Sequence, residues 1–171
     1  MIMAFDKPPP TPSSLVLDAP PAAAHSDSVD ELVAAYGELD AVLDRIAQLS
    51  ADRCTDAEVV ALAKANEVAG RRIASLGLRR LMDVADRDAW RLTGAATMRM
   101  FVANHLGVPD VKRRLDHAAA LSETYTITGH KQPPELSATA DALAEGAIAP
   151  EHVSVILDFT DRIPTHVEVD D

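Results

Sequence analysis

The chain contains little cysteine and few aromatic residues, and it has no long apolar run. Its 171 residues include a single cysteine, Cys54, which excludes an internal disulfide and a cysteine-rich zinc site. No apolar stretch approaches the roughly 20 residues needed to span a bilayer, and no basic region followed by an apolar segment marks the N-terminus as a secretory signal. We therefore expect a cytoplasmic protein that does not enter a membrane.

The hydrophobic core must be built almost entirely from aliphatic side chains. Hydrophobic residues make up 47% of the chain, but only six are aromatic, whereas about thirty are alanine. Alanine has the highest intrinsic helix propensity and permits close helix–helix contacts. The composition therefore predicts an all-α fold, an irregular bundle of five to seven helices.

The first 26 residues differ in composition from the rest of the chain. Residues 1–26 hold six of the eleven prolines and show no apolar periodicity, so we expect a disordered Pro-rich leader. A Pro-rich ligand for another domain is the alternative interpretation. Ser28 and Glu31 have capping-box spacing, which predicts that a helical domain occupies residues 27–171.

Apolar periodicity and capping signals predict six helices and no convincing strand. Thr55 and Glu58 repeat the capping-box spacing, and no proline interrupts the pattern that follows. The chain ends without a helix stop, so we expect the domain to be incomplete at its C-terminus. The predicted helices cover residues 28–49, 55–86, 95–105, 109–122, 135–145 and 150–161.

Charge is distributed unevenly along the chain. The net charge is −11, which for the whole molecule argues against binding to nucleic acid. However, residues 64–114 carry eleven of the sixteen basic residues and only five acidic ones, a balance of +6, and the remaining residues sum to −17. A basic segment is therefore flanked by acidic helices.

This basic segment supplies the candidate DNA contacts. Gly107 lies where a helix-turn-helix turn would be, and three cations open the next helix. That motif requires a buried apolar residue six places after the glycine, where this chain has Arg113, so a solvated basic face is the alternative. The arginines of the preceding helix form a ridge that either follows phosphates or pairs with the acidic helices at 28–58 and 135–161. The candidate DNA-binding residues are Arg72, Arg79, Arg80, Arg99, Lys112, Arg113 and Arg114.

Four segments carry a resemblance to a known family. They are the helix Leu32–Leu49, the arginine pairs at 71–72 and 79–80, the stretch Met100–Leu115 with its Leu-Gly turn, and Leu143–Leu157. In this order they resemble the N-terminal domain of the actinobacterial 13E12-repeat proteins, a domain of unknown function often joined to an HNH endonuclease module. The family pattern Ala-x-Gly-x-Ile-x-x-x-His-x-x-x-Ile is filled by Ala144, Gly146, Ile148, His152 and Ile156.

The resemblance implies a non-catalytic helical domain of an HNH-associated mobile-element protein, and the basic segment suggests that it contacts DNA. An HNH site needs a histidine base, a second metal-binding histidine and often paired zinc cysteines, and this chain has no Cys-x-x-Cys. Gly107 and the Gly146 segment are expected to be structural, and a packing role for His152 is favoured over catalysis. The alternatives are a protein-interaction or self-association domain, in which basic and acidic regions pair between chains, and a truncated gene copy without activity.

No motif for a cofactor or a metal is present in the sequence. It contains no phosphate-binding glycine loop, no Ser/His/Asp signature and no metal-ligand spacing. We therefore expect no cofactor, no metal site and no catalytic residue in this chain alone. The expected partners are DNA, a second copy or another protein.

Overall fold

A computed structural model describes residues 22–126 and 128–163, with side chains from residue 29 onwards. The chain is all-α apart from one small hairpin, as the composition predicts, and it divides into two units, Met1–Arg53 and Cys54–Asp171. The predicted leader lies largely outside the described residues. The helices are α1 Ala22–Gln48, α2 Asp56–Asp86, α3 Met98–Met100, α4 Val111–Leu121, α5 Ser137–Glu145 and α6 Pro150–Thr160.

The first unit contains one described element, the helix α1. It begins at Ala22, before the predicted start at Ser28, because three consecutive alanines favour helix at its N-terminal end. The predicted leader is therefore helical from Ala22 onwards. The helix ends at Gln48, close to the predicted end.

The long helix α2 forms one side of the second unit. Its start matches the prediction: the Thr55 hydroxyl accepts from the Glu58 amide at 3.4 Å, and the Glu58 carboxylate accepts from the Thr55 amide at 2.7 Å. The Glu58 carboxylate also accepts from the Thr55 hydroxyl at 2.8 Å. The bonds from the Thr55 amide and hydroxyl lower the pKa of Glu58, because they stabilise its charged form. The helix then continues without interruption to Asp86, as predicted.

The core of the second unit lies between the C-terminal half of α2 and the helices α4, α5 and α6. Aliphatic side chains fill it, together with one phenylalanine, as expected from the scarcity of aromatic residues. His117, Ser122 and Thr139 are the polar residues buried with it in the described part of the chain. The buried apolar residues are Leu78, Leu81, Phe101, Val102, Ala118, Ala120, Leu121, Leu136, Leu143 and Val153.

The connection from α2 to α4 is less regular than a single helix. A short 3-10 turn over Ala89–Thr93 is followed by α3, which continues as a π turn over Phe101–His105. Gly107, two residues after the π turn, has a φ of +65°. Phe101 and Val102 are thereby directed into the core.

The prediction that the chain has no strand is wrong. Thr124–Tyr125 (β1) and Lys131–Gln132 (β2) pair antiparallel, with Thr124 opposite Gln132. The Gly129 amide donates to the Thr126 carbonyl at 2.8 Å and closes the turn. Each strand has only two residues, which is too short to produce the alternating pattern that reveals a strand in a sequence.

Candidate nucleic-acid interface

Four of the eleven basic residues of the 64–114 segment form ion pairs, each with an acid close to it in sequence. Four ion pairs form within the segment or at its edge, each three or four residues apart on a helix or turn. No ion pair among the described residues joins this segment to the acidic helices at 135–161. The pairs are Arg80–Asp83 at 2.7 Å, Arg91–Asp88 at 3.3 Å, Lys112–Asp116 at 2.6 Å and Arg113–Asp110 at 3.1 Å.

The N-terminus of α4 holds two of the most exposed candidate cations. The Lys112 side chain is 74% exposed and that of Arg113 is 49% exposed. The carboxylate of Asp110 caps the helix by accepting from the Arg113 amide at 3.4 Å and also pairs with the Arg113 guanidinium. The sequence analysis did not predict the capping by Asp110 or the ion pair of Asp116. Their spacing of three residues from Arg113 and four from Lys112 is nevertheless typical of ion pairs on a helix.

Arg99 on α3 affects the pKa of Lys112. The pKa of Lys112 is raised, chiefly by its hydrogen bond and charge attraction to Asp116, while Arg99 opposes this by repulsion. Asp161, at the end of α6, attracts Lys112 more weakly. Arg99, Lys112 and Arg113 are all exposed, and we call these three residues the α4 basic cluster.

Arg114, the next residue on α4, lies in a different environment. Its guanidinium crosses α2 at Gly77, so closely that a Cβ at Gly77 would collide with it. Partial burial lowers the pKa of Arg114, since desolvation disfavours its charged form. No carboxylate pairs with it among the described residues. Gly77 provides the space for this side chain.

The candidate arginines of α2 do not form one continuous ridge. Arg72 and Arg79 are exposed, but Arg80 is half-buried and pairs with Asp83. Arg79 also lines a cleft of about 380 Å³ together with four carboxylates. These carboxylates oppose the approach of a phosphate, so this face of α2 is poorly suited to DNA. The four are Asp83, Asp86, Glu123 and Asp141.

The orientation of α4 follows its apolar residues. Ala118 is buried and Val111 and Leu115 are half-buried against the core, so Arg113 faces outwards. A helix-turn-helix would bury the position that Arg113 occupies. The tight turn at Gly107 is present, but the helix that follows it is rotated relative to that motif.

The segment that carries the family pattern forms the corner between α5 and α6. Gly146 ends α5 with a φ of +79°, a conformation that glycine adopts without strain. A Cβ at Gly146 would lie 2.9 Å from both Cγ1 and the carbonyl oxygen of Val68, so the corner contacts α2 closely. The Arg71 guanidinium donates to the Gly146 carbonyl at 3.2 Å. Both the backbone conformation and the close approach therefore require glycine here.

His152 closes the first turn of α6. Its Nδ1 accepts a hydrogen bond from the Ala149 amide at 3.0 Å, so the imidazole supplies the acceptor that glutamate supplies in an ordinary capping box. Pro150 occupies the first turn, where a missing N–H costs nothing. Ile148 and Ile156 pack half-buried against the core. Gly146, Ile148, His152 and Ile156 thus each have structural contacts, whereas Ala144 is exposed.

His117 is the buried titratable group of this unit. It lies 97% buried on α4, and its Nε2 is 2.9 Å from the Ser154 hydroxyl of α6. Desolvation lowers the pKa of His117, and the charges of Arg113 and Arg114 lower it further. A neutral imidazole therefore links α4 to α6.

Among the described residues, no three histidine, cysteine or carboxylate side chains are grouped so that they could hold a metal ion. None of the helices in this part of the chain is long and apolar enough to cross a membrane.

Comparison with known proteins gives a family and several relatives. The model of a family described as "Domain of unknown function (DUF222)" matches residues 60–171. An uncharacterized protein of Mycobacterium tuberculosis H37Rv is 34% identical over 146 residues, which is 85% of this chain and 32% of the relative. Another from that strain is 33% identical over 133 residues, 77% of this chain and 60% of the relative.

A further relative from the same strain is 30% identical over 142 residues and is covered to 31% of its length. The chain thus spans about a third of the length of the first curated relatives that it matches. No solved structure matches the chain.

Proposed function

Because this chain belongs to the DUF222 family, we propose that it is a non-catalytic helical domain that contacts DNA phosphates through the α4 basic cluster. In this proposal the domain positions DNA for an HNH nuclease module of a mobile-element protein, as the resemblance to the 13E12-repeat family implies. The module itself would lie outside the residues of this chain.

The observation that carries the proposal is the exposure of Arg99, Lys112 and Arg113 at one end of α4. The positive end of the helix dipole adds to their charge. Their partners Asp110 and Asp116 form only exposed ion pairs, which contribute little stability and are readily exchanged for phosphate. Phosphate contacts of this kind bind DNA without reading its sequence.

The structure also defines which candidate residues the proposal leaves out. Arg114 is held across α2, Arg80 is paired with Asp83, and Arg79 lines a cleft that contains four carboxylates. Arg72 is exposed, but its side chain lies beside the Gly146 corner. The proposed contact surface therefore has three cations, and we expect weak binding with a slope of log affinity against log salt of roughly −3.

Fluorescence anisotropy with a short random DNA duplex tests the proposal. We expect the double variant Lys112→Gln and Arg113→Gln to bind more weakly and to lower the slope of log affinity against log salt by about 2, since two phosphate contacts are lost. The matched control carries Lys64→Gln and Arg87→Gln, which remove the same charge from exposed positions of α2 and its C-cap.

The control should retain the wild-type slope. Equal losses in both double variants would indicate attraction to net charge rather than a site at α4. A wild-type chain that does not bind DNA even at low salt would refute the proposed function.

A further inference from the structure

A second cleft, which we call the Arg114 cleft, lies between α2, the π turn and α4. It has a volume of about 360 Å³, and all the residues that line it belong to the second unit. Arg80 and Arg114 are the charged residues of a lining that is otherwise apolar. This volume and this kind of lining are typical of sites for small organic ligands. The other lining residues are Gly77, Leu81, Val84, Phe101, Leu106 and Val108.

Arg114 brings a positive charge to this cleft that no acid of the second unit balances. Its guanidinium lies over Gly77 of α2, where the absence of a Cβ leaves room for it. Partial burial lowers the pKa of Arg114, and no carboxylate among the described residues of this unit offsets that shift. Because an arginine keeps its charge in a protein, a partly desolvated guanidinium without an acid is stabilised by a bound anion. The cleft therefore offers donors to an anionic group.

Arg80 adds a donor to the cleft but little net charge. Its Nη1 donates to the Asp83 carboxylate at 2.7 Å, so its charge is already balanced. Its Nε is buried and has no acceptor within the described part of the chain. The cleft therefore has one uncompensated positive charge beside an apolar lining. This balance favours a ligand with a single negative charge over a phosphate monoester, which carries nearly two.

We propose that the Arg114 cleft binds a small organic carboxylate with an apolar chain or ring, whose carboxylate pairs with the Arg114 guanidinium. A guanidinium presents parallel N–H donors that match the two oxygens of a carboxylate. The apolar part of the ligand contacts the apolar lining, where Leu106 is 51% exposed and gains from being covered. This site is separate from the α4 basic cluster, because Arg113 is exposed whereas Arg114 crosses α2.

Titration of the full 171-residue chain with sodium octanoate at neutral pH, followed by amide NMR spectra of the isotopically labelled protein, tests this inference. We expect saturable shifts at the amides of Gly77, Leu106 and Val108, with a Kd on the order of 1 mM for a ligand of this size. Each methylene that the cleft covers tightens binding by up to about fourfold, so hexanoate should bind more weakly.

The role of the charge is measured with 1-octanol, which has the same chain without the carboxylate. It should bind at least about tenfold more weakly than octanoate, because it cannot form the ion pair with Arg114. This comparison uses the wild-type chain alone, so it does not depend on whether any variant folds.

Two single variants of neighbouring residues on α4 separate the cleft from a general attraction to cations. Arg114→Gln should weaken octanoate binding about tenfold, since it removes the charged donor. Arg113→Gln removes the same charge from an exposed residue and should leave octanoate binding unchanged. Because Arg113 belongs to the proposed DNA contact, the two proposals succeed or fail independently.

Four results would each overturn the inference. They are the absence of saturable shifts with octanoate, equal binding of octanol and octanoate, equal losses in the two variants, and shifts spread without saturation over α1 as well as the cleft.

Discussion

Replacing Gly146 by alanine tests the contact that places the α5–α6 corner on α2. The substitution imposes a left-handed backbone on a residue with a Cβ, which costs about 1–2 kcal/mol. The new Cβ would also lie 2.9 Å from the Val68 carbonyl oxygen, which belongs to the backbone of a long helix and cannot rotate away. Overpacking of this kind adds about 1–3 kcal/mol, so we expect a total loss of about 2–5 kcal/mol.

Gly94 provides a matched control within the same unit. Its φ of +77° is nearly that of Gly146, but a Cβ there would have no heavy atom within 4 Å. Gly94→Ala should therefore show the backbone cost without the contact, and the difference between the two variants measures the close approach to Val68.

Equilibrium unfolding in urea, followed by the fluorescence of Trp90, is the appropriate assay. Trp90 is the chain's only tryptophan and packs against the core of the second unit, so its signal reports on that unit. The dependence of the free energy of unfolding on urea concentration should be the same in all variants. A constant dependence indicates that each variant exposes the same surface on unfolding. If Gly146→Ala costs no more than Gly94→Ala, the contact between the corner and α2 is refuted.

Two further predictions concern the second unit. Gly70→Ala should stabilise this unit by about 0.5–1 kcal/mol in the same assay, because Gly70 is helical and exposed and has open space where a Cβ would be. A loss of stability would contradict this account. Burial lowers the pKa of His117, so its imidazole protonates more readily in the unfolded chain than in the folded one. The free energy of unfolding should therefore fall as the pH drops below about 6.5, until the pKa of the folded state is reached. His117→Gln should make this decline in thermal midpoint shallower between about pH 7 and 5, and an unchanged pH dependence would argue against a neutral buried histidine.

Local sequence signals predicted most helix boundaries because the interactions that set them span only three or four residues. The hydrogen bonds between Thr55 and Glu58 form as the spacing indicates, and the glycine stop at Gly146 and the start at Pro150 define the last corner. The irregular segments were harder to predict. The π turn at Phe101–His105 and the two-residue strands have no pattern long enough to distinguish them from helix or loop.

The candidate interface was likewise predicted only in part from the sequence. The sequence identified the basic segment, and Arg113 at the position where a helix-turn-helix needs an apolar residue indicated a departure from that motif. It could not show that adjacent arginines have opposite environments, because Arg113 and Arg114 differ by about 100° around the helix and only packing decides which face is covered. Arg114 passes over Gly77, 37 positions away along the chain, so no local pattern connects the two residues.

The sequence by itself determined the helical class, the capping box at Thr55 and the corner at Gly146, because propensity and capping are properties of neighbouring residues. Only the tertiary structure decided which cations face the solvent, why Gly146 cannot carry a side chain, and how His152 and His117 are used. These features depend on contacts between residues far apart in the chain, where the position of one helix on another determines which side chains lose water.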